Sequence, residues 1–174
     1  MKRTIWLWQL IGFAITAFCG TLLHFLYEWT GKSILAAPFS GVNESTWEHM
    51  KLFFWPALLF AIIQGFFFSR YDSFWCVKTK GILIGLGAIP VLFYTYNGTI
   101  GKSPDFVNIA IFFISTLLAY CYEARALKRD KSGCNPRLAK TVLFILAAAF
   151  IIFTFVTPRL NIFLDPESGI YGTS

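Results

Sequence analysis

Two histidines and a few carboxylates carry most of the chemistry available to this 174-residue chain. His24 and Glu28 stand four apart, so on a helix they share one face, one turn apart. The string Asn43-Glu44-Ser45-Thr46-Trp47-Glu48-His49 adds two glutamates and the second histidine. Asp165 follows near the other terminus, in Leu164-Asp165-Pro166. Imidazole with carboxylate suits zinc or another divalent ion, which makes His24, Glu28, Glu44, Glu48, His49 and Asp165 the candidate metal ligands. Glu28, Glu48 and His49 are the candidates for general acid and base work. No HExxH, CxxC or GxSxG string accompanies them. Part of the pattern has a purely structural reading. Ser45 followed three residues later by Glu48 forms a capping box for a helix starting near Thr46, and acids are favoured at that end by the helix dipole. His49 gains nothing from that position.

The elements that must position these residues are read from the composition. Apolar residues make up 56% of the chain, aromatics 19% and charged residues 14%. A soluble domain of this size lacks the interior to hide so much apolar surface, and disorder needs the opposite composition. Runs free of Asp, Glu, Lys and Arg cover residues 5–27, 52–69, 81–101, 106–122 and 141–158. About 20 apolar residues let a helix cross the hydrocarbon. Lipid satisfies no backbone polar group, and these runs lack the alternation of barrel strands. The expectation is an all-α polytopic membrane bundle in a single domain over 1–174. Its five transmembrane helices fall at about 5–28, 46–69, 81–100, 106–124 and 140–158, with an outer loop at 30–45 and an outer tail at 159–174. The first run reads as an uncleaved helix, being too long for a signal peptide and lacking a small-x-small site.

Lys and Arg set the orientation. Lys2, Arg3, Arg70, Lys78, Lys80, Arg125, Lys128, Arg129, Lys131, Arg137 and Lys140 fall on one side, eleven of the fifteen. Lys32, Lys51, Lys102 and Arg159 fall on the other. The basic side is expected in the cytoplasm, with the N-terminus inside and the C-terminus outside. Both histidines and most acids then gather at the outer face, while Asp72, Glu123 and Asp130 remain inside. The basic run from Arg125 to Lys140 reads as topology and lipid attraction. No aromatic platform interleaves it, so nucleic acid is not an expected partner. Cys19 and Cys121 lie in spans, and Cys76 and Cys134 fall on the reducing side, so no disulfide framework is expected.

The 31–45 segment, apolar but broken by Pro38 and Gly41, reads as a loop lying on or dipping into the outer face. In the tail, Asp-Pro followed by Gly is turn chemistry. Its apolar flanks suggest that it docks on that loop and brings Asp165 toward His24 and His49. Trp47 reads as an interfacial belt residue.

Three strings, His24 to Gly31, Asn43 to Lys51, and Phe163-Leu164-Asp165-Pro166 with Gly169-Ile170-Tyr171-Gly172, resemble an uncharacterised family of small multi-pass membrane proteins of Gram-positive bacteria, a domain of unknown function. The resemblance implies a protein of the bacterial cytoplasmic membrane and implies no activity. Three functions follow from the residues. The leading one binds a ligand, lipid or protein partner at the outer face, in contact with the bilayer. Another is a metal-dependent hydrolase acting on a lipid or envelope substrate, with a divalent metal such as zinc. The last is a small transporter, disfavoured because Gln64, Asn108 and Ser115 are the main mid-span polar groups and no carboxylate is expected deep in a span.

Overall fold

A computed structural model describes residues 2–68, 71–129 and 134–173. Among the described residues the chain is five long helices and one short 3-10 turn: α1 (Lys2–Trp29), α2 (Thr46–Phe67), α3 (Phe74–Thr99), α4 (Asp105–Arg129), α5 (Pro136–Phe155) and the turn Asn161–Phe163. All five long helices have the length and hydropathy to cross a membrane. Helices α3, α4 and α5 run past the charge-free runs by taking in Lys78 and Lys80, Glu123 to Arg129, and Arg137 and Lys140. Charge marks where hydrocarbon ends, whereas backbone hydrogen bonding continues into the headgroup zone. Arg70, Asp130 and Lys131 lie outside the described residues.

Packing follows an up-and-down order. Helix α1 packs on α2 and α4, and α3 packs on α2 and α4, which closes a four-helix ring. Helix α5 lies outside that ring against α3, and its Phe150 meets Phe54 of α2 at 4.8 Å between ring centres. The main core unites Phe53, Phe54 and Ala57 of α2 with Ile82 and Leu86 of α3, Phe112 of α4 and Phe150 of α5. Two glycines let the helices approach closely. A Cβ at Gly12 would strike the rings of Phe60 and Tyr120, and one at Gly85 would strike Phe53. Small residues serve this purpose where helices pack in lipid.

The surface is inverted relative to a soluble protein. Leu10, Phe18, Phe66 and Phe144 are exposed, while Gln9, Thr16, Gln64, Lys78, Ser115 and Glu123 are buried. Apolar side chains outward and polar ones inward is the arrangement a bilayer demands. Glu123, at the end of the charge-free run of α4, is buried against its neighbours and accepts from Lys78 Nζ at 2.5 Å. The side-chain amides of Gln9 and Gln64 are buried with no protein hydrogen-bond partner.

The cysteine expectation is corrected too. Cys76 and Cys134 are joined as a disulfide that ties the first turn of α3 to the approach of α5. Helix order brings them together, their Cα atoms being 6.1 Å apart, whereas the expectation rested on compartment alone. Cys19 and Cys121 are free.

Candidate functional site

The end of the bundle where α1 stops and α2 starts is built by the 31–45 loop. Helix α1 closes in a Schellman arrangement, with Gly31 N–H donating to Glu28 C=O at 3.0 Å and Lys32 N–H to Tyr27 C=O at 2.8 Å. Gly31 takes φ 63° there, the left-handed conformation that glycine adopts without penalty. The chain then folds back over the bundle. Ala36, Ala37, Pro38 and Ser40 are buried. The Ser40 hydroxyl accepts from Tyr27 N–H at 2.9 Å and donates to the Leu23 carbonyl. Ala37 C=O accepts from Lys51 Nζ at 2.8 Å, and Pro38 C=O accepts from Trp55 Nε1 at 2.9 Å. The loop therefore dips into the bundle, because its backbone acceptors meet donors from α2.

Helix α2 starts at Thr46 with Ser45 as its cap, the hydroxyl accepting from Glu48 N–H at 3.4 Å. Only half of the capping box forms. Asn43 Oδ1, not Glu48, accepts from Ser45 N–H, at 2.9 Å. The Glu48 carboxylate turns inward, accepts from Val42 N–H at 3.0 Å and pairs with Lys51 at 2.6 Å. Lys51 also donates to Thr154 Oγ1 of α5 at 2.9 Å. Glu48 and Lys51 thus join loop, α2 and α5 below the surface.

His24 of α1, Glu44 of the loop and His49 of α2 converge. Glu44 puts Oε1 3.6 Å from His24 Nε2 and Oε2 3.5 Å from His49 Nε2. The two imidazole centres are 5.7 Å apart. Their side chains are 31%, 42% and 22% exposed for His24, Glu44 and His49, so a solute can reach them. His49 Nδ1 lies 3.0 Å from the Ser45 carbonyl. That carbonyl can only accept, which puts a proton on Nδ1 and directs Nε2 toward Glu44.

Of the six sequence candidates, the structure gathers these three. Glu28 points away, exposed and 3.8 Å from Lys32. Glu48 is committed to Lys51. Asp165 comes near but serves the scaffold. Its carboxylate accepts from the Ser168 hydroxyl at 2.6 Å and from Glu167 N–H at 2.8 Å, with the Glu44 backbone N–H beside it. Burial opposes its ionisation, but these donors outweigh burial and hold its carboxyl below the ordinary value. The tail does dock on the loop, since Asn43 Nδ2 donates to Gly172 C=O at 3.0 Å. Trp47 belongs to the same junction. It packs on Phe150, Phe153 and Phe163 with ring centres 4.5, 5.7 and 4.7 Å away.

A cavity of about 460 Å³ opens beside the cluster, between α1 and α4. His24, Glu44 and His49 form its polar end, with Asp105, Asn108 and Glu167 nearby. Its walls are apolar, among them Phe25, Ile109, Phe112 and Phe113. Phe25, Ile109 and Phe113 are also exposed on the outer surface of the bundle, so the mouth faces the surroundings of α1 and α4. Nothing in the sequence signals the cavity. Asp105, Asn108 and Glu167 join it only because the start of α4 and the tail reach the same end as His24.

Fold and site together define a multi-pass membrane protein with a His/Glu cluster at one end of its bundle. The chain belongs to a family of unknown function (DUF6512), whose model matches residues 2–173. Comparison with curated proteins and with solved structures finds no match.

Proposed function

We propose that this protein binds an amphiphile from the surrounding bilayer in the cavity between α1 and α4. The observation that carries the reading is the division of that cavity into a polar end and apolar walls open to lipid. Its volume falls within the roughly 300–1,000 Å³ of small-molecule sites. A head group able to hydrogen-bond fits His24, Glu44, His49 and Asn108, while an acyl chain fits Ile109, Phe112 and Phe113. The basic residues Lys78, Lys80, Arg125, Lys128, Arg129 and Lys140 belong to the opposite end of the helices, which favours that end in the cytoplasm and the cluster at the extracytoplasmic face of a bacterial membrane. A metal-dependent hydrolase acting on such an amphiphile is the second reading, favoured by the cluster's place at the polar end. Transport draws no support from the cavity, whose lining does not include Gln64.

Native mass spectrometry of detergent-purified protein, with phosphatidylglycerol, phosphatidylethanolamine or a monoacylglycerol added, tests the binding. Thr21 lines the cavity on an exposed face of α1, so Thr21→Trp fills the cavity without disturbing the core. Wild type is expected to retain one amphiphile at collision energies that strip the variant. Equal retention by both contradicts the reading.

A further inference from the structure

Glu44 gives one oxygen to each histidine at 3.6 and 3.5 Å, beyond ordinary hydrogen-bond length. These are also the separations of atoms that share a third partner. Zinc ligands at 2.0–2.1 Å in tetrahedral array sit about 3.4 Å from one another. One ligand atom from each of His24, Glu44 and His49 lies within 4.8 Å of the other two. His24 and Glu44 are both partly exposed, which leaves their side chains room to turn toward a shared ion.

The surroundings of the three groups match what ligands need. A ligating imidazole holds its second nitrogen on a carbonyl or carboxylate, which fixes the tautomer and the ring plane. His49 does so through Ser45 C=O at 3.0 Å. Glu44 is pinned from both sides. Its backbone N–H faces the Asp165 carboxylate, while Asn43 holds Ser45 N–H at 2.9 Å and Gly172 C=O at 3.0 Å. Further acids, Asp105 and Glu167, line the same cavity and favour a cation there. Two imidazoles and one carboxylate suit zinc better than magnesium or calcium, which prefer all-oxygen shells.

We propose that His24, Glu44 and His49 together bind one zinc ion, with a fourth coordination position open to the cavity. Three protein ligands and one open position is the pattern of zinc sites that take a water or an exogenous ligand, not of closed structural sites. The inference rests on the amphiphile reading only for what fills the fourth position. The three ligands stand without it.

The test is Zn2+ titration into chelator-treated protein by calorimetry, with metal content by mass spectrometry, for wild type, His24→Ala, Glu44→Gln, His49→Ala and Glu28→Gln. Wild type and Glu28→Gln should bind one zinc per chain. Each ligand variant should weaken binding by more than the 10–100-fold typical of outer-shell changes. Co2+ added to wild type should give the intense visible absorption of a four-coordinate site, a readout independent of how the variants fold. Zinc uptake no different between wild type and the ligand variants, or wild type without that absorption, overturns the proposal. Amphiphile retention by the zinc-loaded and the chelator-treated protein separates the two ideas. Retention without zinc binding sinks the metal alone, and zinc binding without retention in either form sinks the amphiphile alone.

Discussion

At the residue scale, the His24 end of the bundle depends on a division of labour among its acids. Glu44 is left for the histidines because Glu48 is taken by Lys51 and Asp165 by its own turn. Lys51 and Glu48 are both buried, and breaking a buried pair by removing one partner strands a charge. Lys51→Met is therefore expected to destabilise the protein by about 3–5 kcal/mol, and the double variant Glu48→Leu/Lys51→Met by much less. Thermal unfolding in detergent, analysed as a double-mutant cycle, measures this, and additive losses would contradict it. Asp165 brings a pH dependence with a definite sign. Its folded carboxyl titrates below the ordinary value of 3.8. Its stabilising contribution is thus complete above that value and is lost as pH falls through the lower, folded one. Acid should release the tail in wild type, read as a change in Trp47 fluorescence. Asp165→Asn should already show a loosened tail at neutral pH, with that acid step removed.

At the element scale, helices in lipid are recognised by what they lack, and charge-free runs located all five. Their ends were less legible. Lys78 looks like a boundary residue in sequence, but it sits inside α3 because Glu123 of α4 supplies its counter-charge. That pairing joins residues 45 apart, and no local pattern reveals it. The loop was legible as a segment that dips, since Pro38 and Gly41 forbid a span there. What holds it, the carbonyls of Ala37 and Pro38 on Lys51 and Trp55, belongs to tertiary packing. The Cys76–Cys134 link bears on orientation, because disulfides are rare in a reducing cytosol. The charge bias of eleven to four points the other way, and labelling decides between them. Impermeant maleimide on intact cells should label Ile34→Cys, at an exposed loop position. Cys134, freed by a thiol reductant, should react only after permeabilisation. The reverse pattern would place the His/Glu cluster in the cytoplasm.

At the scale of the whole molecule, an inverted surface and an enclosed polar end work together. The four-helix ring with α5 alongside leaves α1 and α4 touching deeper in the bundle, where Gly12 meets Tyr120 and Thr16 bonds Tyr120 at 2.6 Å. Toward the His24 end the same two helices leave room for the cavity. The sequence named both histidines and Glu44 as candidates, and it could not separate them from Glu28, Glu48 and Asp165. Choosing among six groups requires knowing which way each side chain turns once α1, the loop and α2 meet. A cryo-electron microscopy map of the protein in lipid nanodiscs tests the central claim most directly. It should show elongated non-protein density between α1 and α4, with its polar end against His24, Glu44 and His49. A map in which Phe25, Ile109 and Phe113 close over that space, leaving the cluster sealed from lipid, would contradict it.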